Sequence, residues 1–191
     1  MIYKEINMPP KVKVTKSEII KTAVELIRAK GENALNARNI AKALNCSTQP
    51  IFSNFKAMEE LQSEVLKLAY ELYLGFLKSE AQSGKYPQYK SFGMAYIRFA
   101  KQESNLFKLL FMRDRRGEAL SVSVDFEQSV NLIMTANSTT REIAERIHFE
   151  SWVFVHGIAT MRATSFLTLD WDAISDMLTD VYQGLKAKHL Q

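Results

Sequence analysis

Asn36 to Leu61 reads NARNIAKALNCSTQPIFSNFKAMEEL: two short helical stretches about a tight polar turn, with a third helix following at once. In the first stretch Asn36 is placed to cap the N-terminus, and Ile40, Ala41 and Leu44 fall on one face at helical spacing. Ala41 and Ala43 are small enough to let a second helix approach closely. Asn45-Cys46-Ser47 turns the chain, and Asn45 tolerates the positive φ that such a turn requires. Ser47 is the expected N-cap of a second helix that runs to about Phe52. Pro50 fits its first turn, where backbone amides have no intrahelical partner. Ile51 and Phe55 then face inward. Thr48, Gln49 and Ser53 face out, with short polar groups able to bond base edges or phosphates, Gln49 suiting a bidentate contact with adenine. This is the pattern of a helix-turn-helix whose second helix enters a major groove.

Charge is distributed in a way that agrees with this reading. The chain of 191 residues carries 25 Lys and Arg against 21 Asp and Glu, a net +4. Positions 1 to 56 hold 10 basic and 4 acidic residues, a net +6, which leaves −2 for the remainder. A basic N-terminal third suits contact with a polyanion, although a modest basic excess is also ordinary solvated surface. No apolar run reaches the roughly 18 to 20 residues of a membrane span, and the first residues lack a signal-peptide core, so a cytoplasmic protein is expected. The single cysteine, Cys46, excludes an internal disulfide and is read as a small packing residue in the turn.

Outward from the motif, the chain is helical throughout. Residues 1 to 13 read as a loose basic arm, with Pro9-Pro10 opposing helix and Lys11 and Lys13 available to phosphates or a minor groove. Thr15-Lys16-Ser17-Glu18 is a capping-box pattern; Ile19, Ile20, Ala23, Val24 and Ile27 make the buried face of helix 1, and Gly31 stops it. From Glu59 the apolar residues Leu61, Val65, Leu68, Leu72 and Phe76 recur three or four apart, so one long helix is expected to lead out of the motif as a lever. Gln82 to Pro87 breaks the chain. Beyond it, helices are expected over Tyr89–Gln102, Asn105–Met112, Val124–Ala136, Thr139–Ser165 and Trp171–Lys188. Thr139-x-x-Glu142 and Asp170 are the expected starts of the last two. The helix after Thr139 is apolar on most sides, which requires cover on two sides, one from its own domain and the other of a kind that another subunit can supply. The fold class is therefore all-α, with a DNA-binding domain at 1–60 and a helical ligand-binding and dimerisation domain at 61–191.

From about Thr15 to Leu61 the sequence resembles the TetR family of transcriptional regulators, on TKSEIIKTAVELIRAKG and IAKALNCSTQPIFSNF. Weaker echoes are NLFKLLFM from Asn105 and WVFVHGIATM from Trp152, the latter like the Trp-x-x-x-His-Gly signature of one C-terminal subgroup. The resemblance implies a repressor that binds a near-palindromic operator as a homodimer through its last two helices and is released by a small, largely apolar effector. It places Lys13, Thr15, Asn36, Arg38, Ser47, Thr48, Gln49, Pro50, Phe52, Ser53, Asn54 and Lys56 at the DNA. Three positions depart from the family pattern. Asn45 replaces the usual turn glycine, Phe52 replaces a phosphate-holding tyrosine, and Met58 stands where a lysine commonly opens the next helix, with Lys56 two residues earlier.

For an effector pocket the candidates are Phe92, Tyr96, Phe99, Phe111, Met112, Phe126, Met134, Phe149, Trp152 and His156, an aromatic and methionine-rich set with three polar handles in Tyr96, Trp152 and His156. Each is also an ordinary core residue type. His148 and His156 lack a third ligand at metal-binding spacing, so packed or hydrogen-bonded histidines are expected and no metal or cofactor. There is no nucleophile elbow, phosphate loop or His-Glu-x-x-His, and no enzyme is expected. Arg113 to Gly117 reads as an exposed loop. The competing function class is a helical protein-interaction module that has lost DNA binding.

Overall fold

The computed structural model describes residues 14–116, 124–166 and 168–190. Lys13 and the rest of the basic arm lie outside the described residues. Among those described there are nine α-helices and no strand: α1 (Lys16–Lys30), α2 (Ala37–Ala43), α3 (Gln49–Asn54), α4 (Met58–Gln82), α5 (Gln88–Gln102), α6 (Ser104–Phe111), α7 (Val124–Asn137), α8 (Arg141–Ala163) and α9 (Trp171–His189). None of these is long and apolar enough to cross a membrane.

Helix α1 forms as its punctuation predicts. Thr15 and Glu18 exchange the two bonds of a capping box, and Gly31, at φ +78°, ends the helix with its amide on the Ile27 carbonyl. Its buried face of Ile19, Ala23, Val24 and Ile27 packs against α4 and α6 as well as α2 and α3. The three-helix head is thus not walled off from the rest. One continuous apolar core runs from Ile19 and Phe55 through Leu61, Val65, Tyr73 and Phe99 to Ile174 and Leu178. A second, smaller cluster joins Val130 and Ile133 of α7 to Ala144 and Ile147 of α8.

The lever helix is present, but its buried stripe is rotated from the expected one. Leu61, Val65, Ala69, Tyr73 and Leu77 are buried at a strict spacing of four, while Leu68, Leu72 and Phe76 are only half-buried. Helix α4 is covered by α1 at its start and by α5 and α6 further on, so tertiary contact and not hydrophobicity alone selects the inward face.

Two starts also differ from expectation. Ser138 takes a left-handed turn at φ +49° after α7, so Thr140 and not Thr139 is the extended residue that caps α8, accepting from the Ile143 amide. In the head, Ser47 is exposed and Thr48 occupies the N-cap of α3 without a side-chain bond. Ala43, expected at a close helix approach, is exposed as well; Ala41 alone is buried there. Asp170 caps α9 as expected, accepting from Ala173 N at 2.7 Å.

Candidate nucleic-acid interface and ligand cavity

Two capping devices define the ends of α2. Asn36 Oδ1 accepts from Asn39 N at 2.9 Å and fixes the start of α2. At its end Asn45 takes φ +50°, which lets the Cys46 amide reach back to the Ala41 carbonyl and the Asn45 amide to that of Lys42. This is the paired bonding of a Schellman cap, and it explains why asparagine serves where glycine is more usual. Ile51 and Phe55 are then driven into the core, leaving the opposite side of α3 to solvent.

On that outer side Gln49, Ser53 and Phe52 are exposed, Phe52 by 54%. Ser53 Oγ donates to the Gln49 carbonyl at 3.0 Å. The Asn54 amide donates to the Pro50 carbonyl at 2.8 Å and the Val14 carbonyl at 3.4 Å, so Asn54 ties α3 to the segment before α1. Arg38 and Lys56 are exposed as well. Glu60 organises the junction into α4: one oxygen accepts from the Lys56 amide at 2.8 Å, the other from Lys16 Nζ at 3.3 Å, and these donors hold its carboxyl below the usual range. Met58, where a lysine was looked for, opens α4 and packs on the core. Thr15 is exposed but engaged in its capping box, whereas Asn36 and Pro50 are half-buried.

The head is fastened to the second part of the chain at the far end of α1. Arg28 Nε donates to Glu103 Oε2 at 2.8 Å, and Asn105 Nδ2 donates to the Arg28 carbonyl at 2.8 Å, so the last turn of α1 and the first turn of α6 share a polar clasp. The Glu103 bond raises the Arg28 guanidinium above its ordinary value.

A cavity of about 560 Å³ lies among α4, α5, α7, α8 and α9. Six of the expected residues line it: Phe92, Tyr96, Phe111, Phe126, Phe149 and Trp152. Four do not. Phe99 is fully buried against Tyr73 and Phe76, Met112 is exposed, Met134 packs with the α7–α8 cluster, and His156 sits one layer back. From there the His156 ring stacks on Trp152 and its Nδ1 meets Tyr96 Oη at 2.9 Å.

Sequence reasoning missed the polar end of the cavity. Asp125 accepts from Tyr70 Oη at 2.7 Å and Tyr73 Oη at 3.0 Å, so a carboxylate on α7 is held by two hydroxyls of α4. Burial and the neighbouring Asp125 charge raise the Tyr73 hydroxyl well above its ordinary value, as they do that of Tyr96, so both remain donors. His148 also lines the cavity, with Nδ1 3.1 Å from Tyr89 Oη; burial pushes its pKa down to about 4. The strict four-residue series from Leu61 brings in Tyr73, a usable signal. Nothing in the sequence pairs Tyr70 with a residue 55 positions away.

This architecture is the TetR-like fold. A TetR-like transcriptional regulator from Rhodococcus sp. RHA1 shares it at 15% identity and a TM-score of 0.63, over 93% of this chain and 97% of that one. A putative TetR family transcriptional regulator from Vibrio parahaemolyticus does so at 16% identity and 0.60, over 88% and 97%. The crystal structure of superantigen PfiT is similar as well, at 15% identity and a TM-score of 0.55, over 92% of this chain and 97% of that one. No family model and no curated protein matches the sequence.

Proposed function

We propose that this chain is a DNA-binding transcriptional regulator of the TetR type, a dimer that grips a near-palindromic operator and releases it when a small molecule fills the cavity. The observation that carries this is the α2–α3 pair. The Asn36 cap and the Asn45 turn bound α2, and Arg38 on α2, Gln49 and Ser53 on α3 and Lys56 just after it are all exposed. Side chains of these kinds suit base edges and phosphates together.

The second half supports the remainder of the reading. On α8, Phe149 and Val153 are 50% and 51% exposed, and an added Cβ at Gly157 would meet nothing within 4 Å, so α8 offers an apolar face with room for a close helix crossing. Two heads joined across that face would reach successive major grooves about 34 to 36 Å apart. Ligand in the cavity bears on α4 through Tyr70 and Tyr73, and α4 begins at the head. Moving the heads apart by a few ångströms defeats simultaneous engagement, which makes repression relieved by an effector the natural mode.

One observation favours a second reading, a protein-interaction module. The superantigen PfiT shares the fold, and fold alone does not define function. In this chain the exposed Phe52 carries no phosphate-bonding hydroxyl. Selection of genomic fragments by the purified protein at about 150 mM salt, where non-specific binding is weak, separates the two. Enrichment of a palindrome is the expected result. A well-folded dimer that enriches nothing refutes the regulator reading.

A further inference from the structure

Three helices of the head meet where α3 ends. Lys16 is the first residue of α1, Lys56 follows α3, and Glu60 stands in the first turn of α4. The bond from the Asn54 amide to the Val14 carbonyl sets the start of α1 beside the end of α3, and Lys16 Nζ lies 4.9 Å from the centre of the Phe55 ring. Lys16 is therefore next to the exposed helix α3 without belonging to it, with 46% of its side chain open to solvent. Met58, packed on the core, brings no charge to this junction, so Lys16 and Lys56 are its cations.

Glu60 divides its two oxygens between these lysines. Oε2 accepts from the Lys56 amide at 2.8 Å, which fastens the chain at the entrance to α4. One oxygen is enough for that. Oε1 takes the Lys16 ammonium at 3.3 Å, across 44 positions of sequence. The acidic neighbours have other work: Glu64 pairs with Lys67 at 2.9 Å, and Glu18 closes the capping box of α1. Among the described residues Glu60 is thus the carboxylate paired with Lys16. An exposed pair of this kind is weak, because lost hydration and side-chain entropy offset most of the attraction. A DNA phosphate attracts the same ammonium more strongly, since its charge-assisted bond is joined by the release of condensed counterions.

We propose that Lys16 is a DNA-phosphate contact held in reserve by Glu60, so that the carboxylate competes with phosphate for one ammonium and binding hands Lys16 from α4 to the duplex. This rests on the reading of the head as DNA-binding. Phosphates carry no sequence, so the competition lowers affinity for every duplex alike and leaves base preference to α3. The pair also spans α1 and α4, which pack on each other. Any movement of α4 against α1 changes how firmly Glu60 retains the lysine.

A double-mutant cycle on DNA affinity tests this, read by fluorescence anisotropy of the intact protein with a mixed-sequence duplex and with the duplex that the fragment selection enriches, between about 50 and 200 mM salt. Glu60→Gln keeps an oxygen for the Lys56 amide and removes the charge; Lys16→Gln removes the ammonium. Lys16→Gln alone is expected to lower the salt slope by about one on both duplexes. Glu60→Gln is expected to tighten both by about two- to fivefold, and by less than about 1.5-fold once Lys16 is already glutamine. An unchanged salt slope in Lys16→Gln overturns the proposal even if Glu60→Gln fails to fold. So does an equal gain in both backgrounds, which would make Glu60 a source of general repulsion, or a loss of affinity in Glu60→Gln, which would make it a positioning group for Lys56. A palindrome enriched in the fragment selection alongside any of those results leaves the regulator reading standing and removes only this one. A well-folded dimer that binds neither duplex removes both.

Discussion

His148 makes stability depend on acidity in a direction and size that follow from its surroundings. The ring is packed against Phe126 and Tyr89 and bonded to the Tyr89 hydroxyl, and burial lowers its pKa from 6.5 to about 4. The folded state therefore binds its proton less readily than the unfolded chain. Its contribution is complete above pH 6.5 and is lost as pH falls from there towards 4. Between pH 7.5 and pH 5.0 linkage gives a loss of about 2 kcal/mol, reaching about 3 kcal/mol below the folded value. His148→Gln keeps an acceptor for Tyr89 but removes the titration. Urea denaturation of both proteins at the two pH values and one protein concentration isolates this group, since every other titration is common to both. The loss on acidification is expected to be smaller in the variant by about 2 kcal/mol, or roughly 4 to 8 °C in melting temperature. Parallel losses in the two proteins would show that the His148 ring is not held neutral by burial and would sink the reasoning.

Other substitutions test the head, the clasp and the outer face of α8. In binding assays across duplex libraries, Gln49→Ala is expected to change the preferred sequence. Lys56→Ala is expected to weaken all duplexes alike and lower the salt slope by about one. Phe55→Ala removes a ring that is 2% exposed beneath Lys16 and should destabilise the protein by about 3 to 5 kcal/mol in urea, with DNA affinity lost in parallel. A double-mutant cycle of Arg28→Gln and Glu103→Gln should give a coupling of about 1 to 2 kcal/mol across the α1–α6 clasp; independence would mean that the 2.8 Å bond carries no energy. Val153→Glu on the exposed face of α8 is expected to give monomers in light scattering, and an unchanged dimer would move the interface elsewhere.

The parts legible in the sequence were those written in local rules. The Thr15 box, the Gly31 stop, the Asn36 and Asp170 caps and the Asn45 turn each depend on a few neighbouring residues, and each forms as read. Where the structure departs from the reading, a contact distant in sequence decides. Cover from α5 and α6 rotates the buried stripe of α4 onto Tyr73, and Ser138 shifts the cap of α8 by one residue. The cavity shows the same division. Aromatic density announced rings such as Phe92 and Trp152, but Phe99 shares that composition and went into solid core, and Met134 packs half-buried against the α7–α8 cluster. The pairing of Asp125 with Tyr70 and Tyr73 exists only once α7 is laid against α4.

The continuous core that joins α1 to α6 has a practical meaning for protein engineering. A chimera built by cutting the chain near residue 60 and grafting another head would leave α6 facing a foreign α1, and would strand Glu103 and Asn105 without Arg28. On the proposed regulator reading, exchanging specificity in this scaffold therefore calls for transplanting the exposed side of α3 alone, position by position, onto a head that keeps its own inner surface. The joint that makes the molecule a single mechanical body is also what prevents its parts from being traded as modules.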